Sequence, residues 1–183
     1  MKVKYLFLLI IGLLFNGHAF AQGPKVPYKD VGACPFECCV YRQWTANKDT
    51  VIYKQMSERS AVAFKVKRRE KVTGVTGVVI TKKAGTVKAL KDLTLKETSK
   101  DFLADNKIFI KSGEVLYVLT SIGEGFYYLW YKGKFFQEQI DTVKDLKILT
   151  MPKADWWVKI KNRKGQTGWT KLPENFDNKD SCS

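Results

Sequence analysis

Residues 155–169, with the sequence DWWVKIKNRKGQTGW, carry the clearest secondary-structure signal in the chain. Two sets of positions alternate along the first arm, with Trp156, Val158 and Ile160 on one face and Trp157, Lys159 and Lys161 on the other. One face of this strand is therefore apolar and the other largely basic. Residues 162–165 are typical of a turn, because Gly165 can adopt the positive φ that a tight loop requires. The stretch predicts a β-hairpin with Trp169 on its second arm.

The start of the chain has the pattern of an export signal. Lys2 and Lys4 precede the apolar residues 5–15, and the small-x-small pattern of a cleavage site ends at Ala21. The apolar run is about half of the roughly 20 residues that a membrane-spanning helix needs. We expect residues 1–21 to be a signal peptide cleaved after Ala21, which would deliver the chain to the periplasm or cell envelope. A lipoprotein is the alternative, with Cys34 closing a lipobox, but charged residues separate it from the apolar run.

The charge and the absence of histidine limit the functions that the mature chain can have. The 183 residues carry a net charge of +14, which becomes +12 when the signal segment, with two lysines and no acid, is removed. In an exported protein this balance favours anionic envelope material, phospholipid head groups or an acidic protein as partner, rather than nucleic acid. Solvated basic strand faces are the alternative explanation. His18 lies in the signal, so the mature chain lacks the commonest general base and metal ligand.

Four cysteines follow the expected cleavage site. Cys34, Cys38 and Cys39 lie close together, and Cys182 is the penultimate residue. In an exported chain they favour two disulfides. A bond between the adjacent Cys38 and Cys39 would be strained, which leaves Cys34 paired with one of them and Cys182 with the other. A zinc site and a catalytic thiol are alternatives, but both lack a histidine. We expect no metal and no cofactor.

The rest of the chain predicts short strands. Apolar, β-branched runs are separated by turn residues at intervals of roughly 8–12 residues, a spacing that favours small barrels or sandwiches. In chain order, we expect an N-terminal arm with the cysteine cluster at 22–40, a first unit at 41–95, a linker at 96–106, a second unit at 107–172 and a C-terminal tail at 173–183.

Several motifs resemble bacterial SH3-like domains. The paired tryptophans, the basic strand and the Gly-x-x-Gly-Trp ending at 165–169 are similar to the last hairpin of that family. GEVLYVLT (113–120) and GEGFYYLWYKGK (123–134) are similar to its central strands, and KRREKVTGV (67–75) to part of its first half. The resemblance covers residues 41–172 and is closer over 107–171. It implies an all-β fold of two tandem SH3-like small β-barrels, of which the first is degenerate.

No set of residues in the mature sequence has the pattern of a catalytic site. Serine and cysteine nucleophiles lack a histidine partner. Asp155 and Glu124 precede aromatic strands and are the acids best placed for glycan cleavage, yet turns favour polar residues at both positions. We therefore expect a protein that is not an enzyme.

An aromatic surface is the remaining candidate for function. Residues 126–131 place aromatic or aliphatic side chains on both faces of one strand, and only one face can enter the core of a small barrel. The other face either packs against the neighbouring unit or binds a ligand. The residues predicted to line a ligand groove are Trp157, Trp169, Tyr127, Tyr131 and Lys159.

Together these observations predict an exported binding protein of the periplasm or cell envelope. The resemblance implies peptidoglycan peptide or glycan as the ligand class, and the basic charge agrees with an anionic envelope component. The alternative is a protein partner, as for a periplasmic inhibitor or immunity protein against a secreted toxin or hydrolase. Nucleic acid is not expected, and any membrane contact would be peripheral, without spanning the bilayer.

Overall fold

The computed structural model describes residues 23–98 and 106–182, and this part of the chain is all-β. The expected signal peptide, residues 1–21, lies outside the described residues. In chain order the strands are β1 Tyr28–Val31, β2 Gln43–Ala46, β3 Thr50–Tyr53, β4 Val62–Val66, β5 Lys71–Lys83, β6 Gly85–Ala89, β7 Leu93–Lys96, β8 Lys107–Ile110, β9 Val115–Gly123, β10 Phe126–Tyr131, β11 Lys134–Gln139, β12 Leu146–Thr150, β13 Lys153–Lys161, β14 Thr167–Thr170 and β15 Phe176–Asp177. A single 3-10 turn, Pro173–Asn175, precedes β15 in the described chain. No helix among the described residues is long and apolar enough to cross a membrane.

The strands form three sheets. An eight-stranded sheet, which we call the outer sheet, has the order β15-β2-β5-β13-β14-β3-β4, and β1 also pairs with β5. A five-stranded sheet, which we call the inserted sheet, has the order β11-β10-β9-β6-β12. The third sheet is the hairpin β7-β8, which joins β6 to β9 and contains part of the expected linker. Every strand pair is antiparallel, as expected for strands joined by short turns.

The hairpin at 155–169 is confirmed as β13 and β14. Its turn closes with a hydrogen bond from the Asn162 N–H to the Gln166 carbonyl at 3.0 Å, and Gly165 has the positive φ of 81° that the turn requires. Val158 and Ile160 are fully buried in the core of the outer sheet, and Trp156 packs against the same core. The alternation in the sequence therefore identified the inward face correctly.

The two halves of the outer sheet come from distant parts of the chain. β5 pairs along its length with β13, and Lys83 lies opposite Lys153 in register. The inserted sheet and the β7-β8 hairpin are built entirely from the residues between these two strands. The structure does not confirm two tandem SH3-like barrels, since the residues expected to form the second unit are divided among the three sheets. The pairing of β5 with β13 cannot be predicted from a local sequence pattern, because the paired residues are at least about seventy positions apart in the chain.

The described residues form two apolar cores. The core of the outer sheet combines residues from before and after the insertion: Trp44, Ala46, Ile52, Val66, Val72, Val158, Ile160 and Phe176. The β7-β8 hairpin contributes Leu95 and Ile110 to the core of the inserted sheet, whose other members are Val87, Ala89, Leu116, Val118, Leu129, Tyr131, Phe136, Ile140 and Leu146. The buried Thr81 hydroxyl links the two parts by donating a 2.6 Å hydrogen bond to the Leu119 carbonyl.

Two disulfides join the N-terminal arm to itself and to the tail. Cys34 is bonded to Cys39 and Cys38 to Cys182, which is one of the two pairings that the sequence left open. The second bond closes a loop with a sequence separation of 144 residues. Loop-closure entropy for such a loop amounts to about 5 kcal/mol. Two disulfides are typical of an oxidising, exported environment.

Candidate anion-binding cleft

The structure separates the five residues that were predicted to share a groove. Trp157 and Tyr131 are only 5% exposed, and Tyr131 belongs to the core of the inserted sheet. Tyr127 is half-buried and packs against that same core. These three rings lie within the fold rather than on a common open surface. Only Trp169 and Lys159 are brought together.

Trp169 and Lys159 belong to a row of side chains across the outward face of the outer sheet. Lys159 lies opposite Trp169 in the β13-β14 pair, and Trp169 lies opposite Tyr53 in the β14-β3 pair. The Lys159 ammonium is 5.8 Å from the centre of the Trp169 ring, within the range of a cation–π interaction. Tyr53 was not identified from the sequence, because its position depends on the pairing of β3 with β14.

A basic cleft lies at the tip of the same hairpin. It has a volume of about 470 Å³ and is formed where the β13-β14 turn meets the chain between β4 and β5. Its lining includes five cationic side chains and a single carboxylate: Lys65, Arg69, Lys71, Arg163, Lys164 and Glu70. Phe64 and Val72 form its apolar wall.

The turn on one side of the cleft is held by its own side chains. The Asn162 carboxamide oxygen accepts the Lys164 and Gln166 N–H groups, each at 3.0 Å. The Asn162 amide nitrogen donates to the Gln166 side-chain oxygen at 2.8 Å. These bonds fix the backbone of the turn, so the positions from which Arg163 and Lys164 extend are well defined.

The turn on the other side is held by two carboxylates. Glu70 accepts the Lys67 N–H at 2.9 Å, and Asp49 accepts the Arg68 N–H at 2.9 Å. The Arg68 N–H, followed by the Lys67 ammonium, lowers the pKa of Asp49 below its usual value. Both carboxylates near this wall are therefore engaged in local hydrogen bonds that shape the turn.

The cations of the cleft differ from many other lysines of the described chain in their lack of a salt-bridge partner there. None of the five makes a salt bridge within residues 23–98 and 106–182, whereas Lys67, Lys82, Lys91, Lys132, Lys134 and Lys171 do. Like charges held around one concave surface repel each other and raise the local positive potential. An anion entering the cleft would relieve that repulsion, so the arrangement suits a negatively charged ligand.

The two basic runs that form this cleft are visible in the sequence, but their proximity is not. Basic residues are concentrated in 65–71 and again in 159–164, but the two runs are about ninety residues apart. Each run by itself is typical of a solvated strand or turn. Their meeting depends on the pairing of β3, β5, β13 and β14 in one sheet.

A second cleft, of about 510 Å³, lies between the cysteine cluster and the β9-β10 turn. Phe36, Val40, Ile122 and Phe126 give it an apolar lining. No cationic side chain lines it, so it does not share the chemistry of the basic cleft.

Of the acids and thiols considered from the sequence, Asp155 and the four cysteines have structural partners. Asp155 forms a salt bridge with Lys82, and Glu124 lies in the β9-β10 turn with a positive φ of 51°. Cys38, Asp180 and Cys182 bring possible metal-binding atoms together, but the two sulfurs are bonded to each other. A disulfide lacks the thiolate that binds metals.

Comparison with known proteins adds no identification: the chain matches no protein family, no curated protein and no solved structure.

Proposed function

We propose that this chain is an exported, non-enzymatic, SH3-like binding protein of the periplasm or cell envelope, and that its basic cleft holds an anionic component such as peptidoglycan. The proposal depends most on one observation, the five cations that line a single cleft without a salt-bridge partner in the described residues. Trp169 and Lys159 on the same hairpin add a ring and a further cation beside it.

The strand order supports the SH3-like part of the proposal. In the inserted sheet, β6 is followed by the β7-β8 excursion and by three consecutive strands, and β12 returns to pair with β6. The outer sheet repeats this plan: β2 is followed by the β3-β4 excursion, then by β5, β13 and β14, and after the 3-10 turn β15 returns to β2. A last strand that returns to the first is similar to the SH3-like arrangement. We therefore infer two such units, one inserted into the other.

Purified sacculi provide the test of ligand class. The mature protein is incubated with sacculi, and the retained fraction is measured by sedimentation at rising salt. We expect retention to persist to about 0.5 M salt, where the Debye length is only about 4 Å, because a shaped cleft makes close contacts that are less screened.

Two double variants with the same change in net charge make this test specific. Arg163→Glu with Lys164→Glu reverses two charges of the cleft, whereas Lys88→Glu with Lys147→Glu reverses two on the inserted sheet. We expect the first to weaken retention at least about tenfold and the second to leave it near that of the wild type. An equal loss in both variants would mean attraction by overall charge, and no loss in the cleft variant would place the ligand elsewhere; either result would overturn the proposal.

A further inference from the structure

The free edge of the inserted sheet has unusual chemistry for an exposed strand. β12 is the terminal strand of that sheet and pairs only with β6 among its strands. All residues from 147 to 151 are exposed, including Ile148 at 37%, Leu149 at 48% and Met151 at 47%. An edge strand presents unpaired backbone groups, and exposed apolar side chains beside them make it a template for another strand.

The two faces of β12 differ in character. Ile148 lies opposite the buried Val87, which in turn lies opposite the buried Leu116, so Ile148 ends an apolar row of the core face. Its exposure arises because no strand of the described residues lies beyond it. On the outward face Lys147 lies opposite Lys88, and neither forms a salt bridge within the described part of the chain. Like charges directly opposite in a sheet are destabilising.

We propose that this edge binds an extended segment of a partner protein in which apolar and acidic residues alternate. A strand added beside β12 would place every second side chain on the same face as Ile148. An apolar residue next to Ile148 would extend the core row. The residues between them would lie next to Lys147, with Lys88 one strand further away, and a carboxylate there offsets the repulsion between the two lysines. Because alternate side chains of a strand point to opposite faces, the added strand should alternate apolar and acidic residues.

The length of the pairing segment is limited by a bulge. Ile148 pairs with Val87 and Thr150 with Thr86, so Leu149 is an extra residue in β12. Regular pairing is therefore available over about three residues, and beyond them the exposed side chains of Leu149 and Met151 offer apolar contact.

A second copy of the chain fits the edge poorly. Antiparallel pairing of β12 with itself would bring a second Lys147 and Lys88 to a surface that already has two lysines without a salt bridge in the described chain. The positive charge of Lys147 and Lys88 favours an acidic partner instead. This inference does not depend on which ligand the basic cleft binds.

Labelled synthetic peptides test the proposal directly. One hexapeptide alternates Glu with Val and the other alternates Lys with Val. Binding is followed by fluorescence anisotropy on the full mature chain carrying Arg163→Glu and Lys164→Glu, so that the basic cleft does not hold the acidic peptide. We expect the acidic peptide to bind at least about fivefold more tightly than the basic one, because the first gains an attraction to Lys147 where the second meets a repulsion. Lys88→Glu with Lys147→Glu should reverse that preference. Lys48→Glu with Lys54→Glu, which changes two exposed lysines outside both the edge and the basic cleft, should leave it unchanged.

Hydrogen exchange gives a second readout that general charge attraction would not produce. With the acidic peptide bound, the amides of residues 147–150 should exchange more slowly, while those of residues 162–166 should not change. The proposal is overturned if the preference is lost in the Lys48 and Lys54 variant as well, if no protection appears at β12, or if the chain forms a dimer through this edge that excludes the peptide.

Discussion

Glu114 directly precedes β9, and its carboxylate has several partners in the folded chain. It accepts the Lys111 N–H at 2.8 Å and forms a salt bridge with Lys132 at 3.0 Å. The adjacent Tyr131 hydroxyl, the Lys111 N–H and the Lys132 ammonium lower the pKa of Glu114 to about 2, against a smaller opposing effect of burial. The turn that leads into the inserted sheet is therefore stabilised by an ionised carboxylate.

This residue makes the stability of the fold depend on pH. Its pKa in the folded chain lies below the value of about 4.3 expected in the unfolded chain, so the stabilisation is complete above about pH 4.3 and is lost as the pH falls towards 2. We expect Glu114→Gln to lower the free energy of unfolding at pH 7 by about 1 kcal/mol, a modest value because the pair is partly exposed. The difference from the wild type should shrink towards zero at pH 2 in urea titrations.

A control distinguishes this effect from a general loss of charge. Glu37→Gln removes an exposed carboxylate and should change the free energy of unfolding little at any pH. A difference between Glu114→Gln and the wild type that stayed constant from pH 7 to pH 2 would contradict the assignment.

At the scale of the element, the β13-β14 hairpin serves both the core and the surface. Val158 and Ile160 hold it in the core of the outer sheet, and its turn supplies Arg163 and Lys164 to the basic cleft. A binding loop that projects from a buried hairpin loses little conformational entropy when it binds, because its position is already fixed.

The two tryptophans on the outward face of this hairpin should respond differently to truncation. Trp157 is 5% exposed, so we expect Trp157→Ala to lower the free energy of unfolding by about 3–5 kcal/mol. Trp169 is half-buried and in contact with Lys159, and Trp169→Ala should cost about 1–2 kcal/mol. Urea unfolding followed by circular dichroism compares them. Equal losses in the free energy of unfolding would contradict the predicted difference between the two variants. A loss under about 1 kcal/mol for Trp157→Ala would show that the Trp157 ring is not part of the core.

At the scale of the whole molecule, the order of the strands predicts which pieces can fold alone. Lys83 at the end of β5 lies opposite Lys153 at the start of β13, so an Asn-Gly turn can replace residues 84–152 and join the two strands as a hairpin. β6 and β12 likewise begin and end the inserted sheet side by side. We expect the shortened outer piece and the isolated residues 85–150 each to unfold cooperatively, with dispersed proton NMR spectra.

The opposite division provides the comparison. The other division cuts the chain into the consecutive pieces 41–95 and 107–172. It separates β5 from its partner β13, and β6 from its partners β9 and β12, so both pieces should remain unfolded. The shortened outer piece also loses the hydrogen bond from Thr81 to Leu119, which should cost about 1 kcal/mol. Cooperative folding of the consecutive pieces, together with failure of the inserted piece, would contradict the nested organisation.

Local pattern was sufficient for the features that depend on neighbouring residues. The alternation at 156–161 located the inward face of β13, Gly165 located the turn, and the spacing of the four cysteines reduced the disulfides to two pairings, of which one is present. Short apolar, β-branched runs also form strands as expected, for example β3 and β8. These features follow from side-chain periodicity, backbone φ and ring strain, all of which act over a few residues.

Features that join distant residues could not be obtained in this way. Trp157 and Tyr131 carry the same aromatic signal as Trp169, yet the fold buries the first two and leaves the third half-buried. The basic runs at 65–71 and 159–164 become one cleft only after β5 pairs with β13 across the inserted sheet. The amino-acid sequence by itself therefore determined the all-β class, the Trp hairpin, the basic charge and the restriction of the cysteines to two pairings. Tertiary structure alone decided the nesting of the sheets, the exposed rings and the cleft, because pairing between strands far apart in the chain is selected by the free energy of the whole fold.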